Sequence, residues 1–364
     1  MDKMWQAKKY KAVDIRNSNL QKKKFTDYPL PSFDLGIDYL GISKLENTFL
    51  ENQLWQYVDE WFQKPEKYLR PNEAPRSRIE EKEGFLVFPS LLNNSQSTKF
   101  KYDPQPKGTP GRKVALIHIM HWNGRIKPYN RIISFVRNTA LPISTLIHIP
   151  AGRGLNPGNG DPADHDSVSP NIGKTIFRAR QDVQDIQFMT RHLKEKMGYE
   201  QVGLFSYSIG SLRGIIASVM SPGLFDFGIF QMVSDDFTEA VMKGVATTDV
   251  AGEIDEKINY QLLKKLWSTI SPGSYSKYFS SLPENTRIVQ CEYDFVFGLE
   301  NVRRFNGKVM EQRSDIELEI VPLSHTTLGS FPIGWRVMWN NISYIYRHTK
   351  MREYKRAMIF TRSL

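Results

Sequence analysis

Cysteine is almost absent from this sequence: Cys291 is the single one in 364 residues. An intramolecular disulfide and a cysteine-based metal cluster are therefore excluded. No apolar run approaches the ~18 residues that a membrane-spanning helix needs, and the N-terminus lacks the apolar core of a secretory signal. These absences predict a cytoplasmic protein.

Nucleotide-binding motifs are absent as well. The pattern G-x-x-x-x-G-K-[ST] does not occur, and Gly152-Arg153-Gly154 lacks the spacing of a dinucleotide fingerprint. His165 lies among loop carboxylates, but no second histidine follows at ligand spacing. The formal charge of +10 favours acidic partners, yet no nucleic-acid-binding module is recognisable. We therefore predict no cofactor, no metal and no nucleic acid.

The composition is that of a globular protein. It is 40% hydrophobic and 24% charged, with 21 Phe, 16 Tyr and 7 Trp, which excludes a disordered chain. The length allows one large α/β domain with appendages or two domains of ordinary size.

Residues 1–83 predict a basic, helical N-terminal extension. Its first residues are rich in Lys and Arg, and apolar residues spaced by three and four predict an amphipathic helix over 45–64. Two interpretations stay open. The helix packs on the main domain, or the basic start contacts a membrane surface or an acidic partner.

Residues 84–350 alternate apolar runs with helical patterns, which predicts a mostly parallel sheet. The predicted strands are 84–92, 97–102, 113–119, 143–149, the run that starts at 201, 225–233, 287–291 and 317–322. The predicted helices are 129–139, 174–197, the one after 208, 299–311 and 334–350. A Gly/Pro/Asn/Asp-rich loop covers 150–173, and 351–364 is a C-terminal tail.

The stretch 235–286 interrupts this alternation with helical segments. It carries Trp267, Tyr275, Tyr278 and Phe279. It forms a lid insertion over the site, or its aromatic residues are ordinary packing.

One short motif carries the chemistry. An apolar run ends in Ser206-Tyr207-Ser208-Ile209-Gly210, followed by small and aliphatic residues at helical spacing. This pattern predicts a strand, a sharp turn and a helix, with Ser208 exposed at the turn. Small residues must flank such a turn because strand and helix approach closely there. Gly210 fits, and Ser206 stands where glycine is most common.

The order of these elements resembles the α/β-hydrolase superfamily, most closely its serine esterase and lipase-like members. The resemblance covers about 84–350 and implies a mostly parallel eight-stranded sheet flanked by helices, with a helical lid. It implies a nucleophile after the fifth strand, an acid after the seventh and a base after the eighth. These positions are Ser208, Asp294 and His325. Asp235 and Asp236, after the sixth strand, are the rival acids.

The resemblance assigns each residue a role. His325 accepts the proton of Ser208 and later protonates the leaving group, while Asp294 fixes the imidazole tautomer. The oxyanion needs two donors, and the backbone N–H of Ile209 is the first. The second is the amide of Trp122, with His121 as runner-up, although the usual His-Gly pair is missing at this turn.

The remaining histidines are interpreted as structural. His118 lies inside an apolar strand as a satisfied core residue, and His148 ends a strand near the active edge. His192 and His348 lie on predicted helices.

The predicted function is hydrolysis of a carboxylic ester, thioester or amide through an acyl-Ser208 intermediate. The predicted partner is a small ester-like molecule with an apolar acyl or alcohol part. An acyltransferase or lyase with the same three residues is one alternative, and a non-enzymatic binding protein of this fold is the other.

Overall fold

The computed structural model describes residues 3–22, 30–42, 47–71, 79–92, 96–105, 113–120, 143–150 and 167–349. The predicted helix at 129–139, most of the loop 150–173 and the tail 351–364 lie outside these ranges.

A single sheet forms the centre of the protein. Its strands are β1 Glu80–Lys82, β2 Phe85–Pro89, β3 Ser97–Asp103, β4 Val114–Ile119, β5 Ser144–Ile149, β6 Gln201–Tyr207, β7 Phe227–Gln231, β8 Asn285–Tyr293 and β9 Glu317–Ser324. Their spatial order is β1-β2-β3-β5-β4-β6-β7-β8-β9. The first four in that order pair antiparallel, and all pairs from β5 onward are parallel.

The sheet has nine strands, so the prediction of eight was short by one. The additional strand, β1, consists of Glu80, Glu81 and Lys82, all exposed at the sheet edge. A fully charged edge strand carries no apolar alternation, and its charges protect the edge from pairing with another chain. The strands predicted at 84–92 and 97–102 are confirmed as β2 and β3, and they pair antiparallel.

Helices flank the sheet. They are α1 Lys3–Lys22, α2 Ile37–Leu40, α3 Asn47–Gln63, α4 Pro65–Leu69, α5 Ile172–Glu195, α6 Ile209–Met220, α7 Phe237–Lys243, α8 Thr248–Ile254, α9 Tyr260–Ser268, α10 Leu299–Gln312 and α11 Ile333–His348. Two 3₁₀ helices cover Pro272–Ser281 and His325–Thr327. The predicted helices in the described ranges agree to within two residues at each end.

Burial explains why the central strands of the sheet could be predicted from the sequence. All six residues of β4 and all six of β5 are buried, so both faces of these two strands are covered. Helix α6 is buried along its whole length of 12 residues. Continuous apolar runs of this kind are typical of the interior of an α/β sheet.

The helix predicted over 45–64 is α3, and it packs on the main body. Leu54, Val58 and Trp61 are buried, with exposures of 1%, 0% and 0%, and belong to the main hydrophobic core. Their spacing of four and three places them on one helical face. The apolar face of α3 is therefore explained by packing on the main domain, one of the two interpretations left open by the sequence.

The segment 235–286 contains α7, α8, α9 and the first 3₁₀ helix. Trp267, Tyr275 and Phe279 are fully buried in the main core, and Tyr278 packs against it. These aromatic residues are therefore packing residues. The lid role of the segment and the domain limits at 83/84 and 350/351 stay predictions.

Within the described ranges, no helix combines the length and the apolar character needed to cross a lipid bilayer. The cytoplasmic location stays a prediction, as does contact of the basic N-terminus with a membrane or acidic partner.

Candidate active site

Ser208 occupies a strained turn between β6 and α6. Its φ of 54° and ψ of −126° lie outside the regions that L-residues favour. Such a conformation persists only where neighbours over-determine it. Here Gln231, at the end of β7, does so: its carbonyl accepts hydrogen bonds from Ser208 N at 2.9 Å and from Ser211 Oγ at 2.8 Å.

At this turn, the start of α6 lies very close to the end of β4. A Cβ atom on Gly210 would lie 2.5 Å from the carbonyl oxygens of both Ile119 and Met120. No real Cβ contact is this short, so only glycine fits. Ser206, by contrast, is tolerated in the position where glycine is most common. Its side chain is buried, and its hydroxyl donates a long hydrogen bond of 3.4 Å to the Ile229 carbonyl.

Asp294 follows β8 and is completely buried. Its Oδ1 accepts hydrogen bonds from the backbone N–H groups of Val296 at 3.0 Å and Phe297 at 2.8 Å. Its Oδ2 lies 2.8 Å from Nδ1 of His325. The carboxylate is therefore fixed in rotation, with one oxygen satisfied locally and the other aimed at the imidazole.

His325 follows β9 and faces both partners. Its Nε2 lies 2.8 Å from Ser208 Oγ, and its ring meets Phe297 edge-on at 4.8 Å between centroids. A carboxylate has no proton to give, so Nδ1 donates to Asp294 and Nε2 is left to accept the Ser208 hydroxyl proton. This is the tautomer that a general base requires.

Opposing effects act on the pKa of His325. Burial lowers the pKa of His325, while the charge of Asp294, its hydrogen bond and the charge of Asp14 raise it, and the net pKa lies above the ordinary value. The imidazolium formed during a proton transfer is therefore stabilised by its surroundings.

The rival acids are engaged elsewhere. Asp235 pairs with Lys308 at 2.8 Å and with Arg304 at 3.5 Å. Asp236 caps α7 by accepting from the backbone N–H of Thr238 at 2.8 Å. Of the three candidate carboxylates, Asp294 is the one that contacts His325.

The role of Ile209, the first predicted oxyanion donor, stays a prediction. Ile209 begins α6, directly after Ser208, and within the described part of the chain its N–H has no acceptor, as is usual in a first helical turn. The other predicted donors, Trp122 and His121, lie outside the described residues. They stay predictions.

Two histidines behave as structural residues, with one correction. His118 is buried in β4, as predicted, but neither ring nitrogen has a hydrogen-bond partner among the described residues, so it is not a satisfied core residue. Burial lowers the pKa of His118 to about 3, and the ring is neutral. His148 is buried against the Phe100 ring, at 4.9 Å between centroids.

A cavity of about 210 Å³ opens beside Ser208 and His325. It combines apolar side chains with the polar groups of the site. Its lining residues are Ser18, Tyr207, Ser208, Met232, Ala246, Val296, His325, Thr326, Leu328 and Gly329. The apolar part is contributed by Met232, Ala246, Val296 and Leu328, of which Ala246 comes from the segment 235–286.

The sequence reasoning missed the contribution of α1. Ser18 lines the cavity, and Asp14 accepts hydrogen bonds from the residues next to Asp294 and His325. The inward face of this helix carries polar residues at helical spacing, Gln6, Tyr10, Asp14, Asn17 and Ser18. That polar periodicity is the signal that would have found it.

The absence of a metal stays a prediction. In the described ranges, no group of three His, Cys, Asp or Glu side chains is placed to hold an ion. His165, the residue considered from the sequence, lies outside those ranges.

No protein-family model matches the sequence, and no curated protein matches it. Solved structures do. The acylaminoacyl peptidase of Pyrococcus horikoshii matches with a TM-score of 0.53 and 14% identity, over 75% of this chain and 42% of that one. This chain therefore spans less than half of that peptidase.

Two esterases match over nearly their whole length. Acetyl xylan esterase 1 from Thermoanaerobacterium has a TM-score of 0.54 and 13% identity, over 80% of this chain and 98% of that one. An esterase from Pyrococcus furiosus has a TM-score of 0.51 and 14% identity, over 74% and 92%. At such identities the likeness establishes the fold: the chain has the α/β-hydrolase fold, as the sequence predicted.

Proposed function

We propose that the protein is a serine hydrolase that cleaves a carboxylic ester through an acyl-Ser208 intermediate. The observation that carries the proposal is the continuous hydrogen-bonded series from Ser208 through His325 to Asp294, with 2.8 Å at each step. A serine hydroxyl becomes a competent nucleophile when a neutral imidazole accepts its proton.

The steps follow from the contacts. His325 Nε2 takes the hydroxyl proton as Ser208 Oγ bonds to the substrate carbonyl carbon, and Asp294 stabilises the imidazolium. The oxyanion is held by the N–H of Ile209, at the positive end of the α6 dipole. His325 then protonates the leaving alcohol, and a water molecule repeats the sequence to release the acid.

The ester preference has two supports. The cavity beside Ser208 presents apolar side chains to a substrate, which suits an apolar acyl or alcohol part. Esterases are among the proteins whose structures match. Amide cleavage is the second candidate, because an acylaminoacyl peptidase also matches.

A fluorophosphonate probe with intact-mass readout tests the proposal. We expect one adduct on the wild type and none on Ser208→Ala. Ser218→Ala is the matched control. Ser218 is a buried serine of α6, the helix that follows Ser208, and its hydroxyl has no partner among the described residues. This variant should keep the adduct.

A folded wild-type protein that takes up no adduct would overturn the acyl-serine mechanism. Once labelling is observed, turnover of matched ester, thioester and amide substrates separates the candidate reactions. Release of free acid identifies a hydrolase, whereas acyl transfer to an added acceptor identifies an acyltransferase.

A further inference from the structure

Asp14 in α1 is a completely buried carboxylate next to the candidate active site. Its Oδ1 accepts hydrogen bonds from Thr326 N at 3.1 Å and from Thr326 Oγ1 at 2.6 Å. Its Oδ2 accepts a long hydrogen bond from Phe295 N at 3.4 Å. Thr326 follows His325 in the chain and Phe295 follows Asp294, so one side chain joins the two loops that carry the base and the acid.

The groups that contact Asp14 are hydrogen-bond donors. The backbone groups that reach it are N–H donors, and the Thr326 hydroxyl itself accepts a hydrogen bond from Asn17 Nδ2 at 2.9 Å. Among the ion pairs of the described residues, none involves Asp14.

A buried carboxylate that forms no ion pair within the described part of the chain is expensive to retain for stability alone. Apolar residues would hold α1 against the protein at lower cost. The free-energy cost of burying Asp14 has a functional explanation if its charge and its hydrogen bonds contribute to the reaction at the neighbouring site.

Further contacts hold α1 on the acid side of the site. Gln6 Oε1 accepts from the Tyr293 hydroxyl at 2.8 Å, and the Tyr10 ring stacks on Tyr293 at 5.0 Å between centroids. Tyr293 directly precedes Asp294. Helix α1 thus contacts the loop that carries Asp294 and the loop that carries His325. Its own Ser18 lines the cavity.

We propose that Asp14 is a positioning residue of the active site: it holds the Asp294 and His325 loops in register and places a second negative charge beside the base. The inference rests on the proposed serine-hydrolase function. It also makes the N-terminal helix a working part of the site rather than an appendage.

Among the described residues, the groups that contact His325 or act on its charge come from three parts of the fold. Asp294 follows β8, Asp14 lies on α1, and Ser208 stands at the start of α6. Cys291 of β8 is also near both carboxylates, and burial with their charges raises the pKa of its thiol, so it stays neutral. Lys11 is farther out, above the Phe295 ring at 6.0 Å.

The test is the rate of fluorophosphonate labelling of Ser208 as a function of pH, on the full chain. For Asp14→Asn we expect a plateau rate about tenfold lower, because the amide keeps one acceptor oxygen and can no longer accept hydrogen bonds from both loops. We also expect the acidic limb to move down by roughly half a pH unit, because loss of a negative charge lowers the pKa of His325.

Two variants isolate the causes. Asp38→Asn removes the same charge from exposed α2, away from the site, and should match the wild type in rate and limb. Thr326→Val removes the hydroxyl bond to Asp14 but leaves the charge, so it should lower the plateau without moving the limb. A loss of folding alone would not shift the limb.

The outcomes are distinct. Wild-type rate and limb in folded Asp14→Asn would overturn the inference while leaving the proposed function intact. If Asp14→Asn does not fold, Thr326→Val decides: a lowered plateau supports the inference, and an unchanged one overturns it. A wild type that takes up no label would instead reject the proposed function.

Discussion

Trp61 in α3 donates a hydrogen bond of 2.7 Å from its indole Nε1 to the hydroxyl of Tyr275, 214 residues further along the chain. The hydroxyl in turn donates to the Thr269 carbonyl at 2.6 Å. Both aromatic side chains are completely buried. The N-terminal helices are thereby joined to the segment 235–286 by a satisfied polar contact inside the core.

Replacing Trp61 by Phe should cost more than the loss of ring volume, because Tyr275 keeps a buried hydroxyl with one partner fewer. Trp267→Phe is the control, since the N–H of Trp267, equally buried, has no hydrogen-bond partner among the described residues. We expect Trp61→Phe to lower the free energy of unfolding by about 1 kcal/mol more than Trp267→Phe in urea titrations. Equal losses would show that the hydrogen bond adds nothing.

Gly210→Ala should remove labelling of Ser208. The added methyl would collide with the carbonyls of Ile119 and Met120, so strand and helix must separate and the turn must change shape. Gly307→Ala is the matched control, because Gly307 lies exposed in α10 with nothing within 4 Å of an added Cβ. That variant should keep full labelling and gain about 0.5–1 kcal/mol in the free energy of unfolding from its better helix propensity.

Asp294→Asn and Asp235→Asn should have opposite profiles. An amide at 294 cannot fix the imidazole in the required tautomer, so we expect the rate of the chemical step to fall by about 10³–10⁴ at unchanged fold. An amide at 235 weakens the pairs with Lys308 and Arg304, so stability falls while the rate stays within twofold, as expected for a change outside the site. Stopped-flow labelling and thermal melting separate the two effects. The reverse pattern would reassign the acid.

The fold was predictable because its central strands are covered on both faces. In β4 and β5 every position is buried, which leaves continuous apolar runs that stand out from the helices between them. The charged strand β1 follows no such rule, since an edge strand pairs through its backbone and exposes its side chains.

The site was predictable for a different reason. Ser208, Asp294 and His325 each follow a strand of the parallel region, and the ends of parallel strands meet at one edge of a sheet. The structure brings the three side chains into contact, whereas their catalytic roles stay predictions. The second oxyanion donor is predicted within 121–124, which lie outside the described residues and whose sequence departs from the usual pattern.

Helix α1 could not be placed by apolar periodicity. It faces the protein with Gln6, Asp14 and Asn17, whose hydrogen bonds reach residues 281–312 positions away in the sequence. A helix held by polar contacts shows no apolar stripe, so its composition resembled that of a solvated basic arm.

A buried ion pair joins α5 and α6. Arg213 in α6 donates to Asp182 in α5, and both side chains are at least 96% buried. Arg213→Met should lower the free energy of unfolding by about 3–5 kcal/mol, because the carboxylate is left buried without its cation. Adding Asp182→Leu to that variant should restore most of the loss, as measured by denaturant titration. A double variant no more stable than Arg213→Met would show that the pair is not energetically coupled.

The pH dependence of Ser208 labelling decides which of the effects on His325 is larger. Only the neutral imidazole accepts a proton, so the rate must fall as the pH drops through the pKa of His325. Burial alone would place this acidic limb below the ordinary value of about 6.5, whereas Asp294 and Asp14 move it above that value. We therefore expect the limb above about 6.5, measured with an uncharged fluorophosphonate while circular dichroism confirms the fold at each pH. A limb below that value would mean that desolvation outweighs the carboxylates, and the imidazolium would then be poorly stabilised in the step it has to perform.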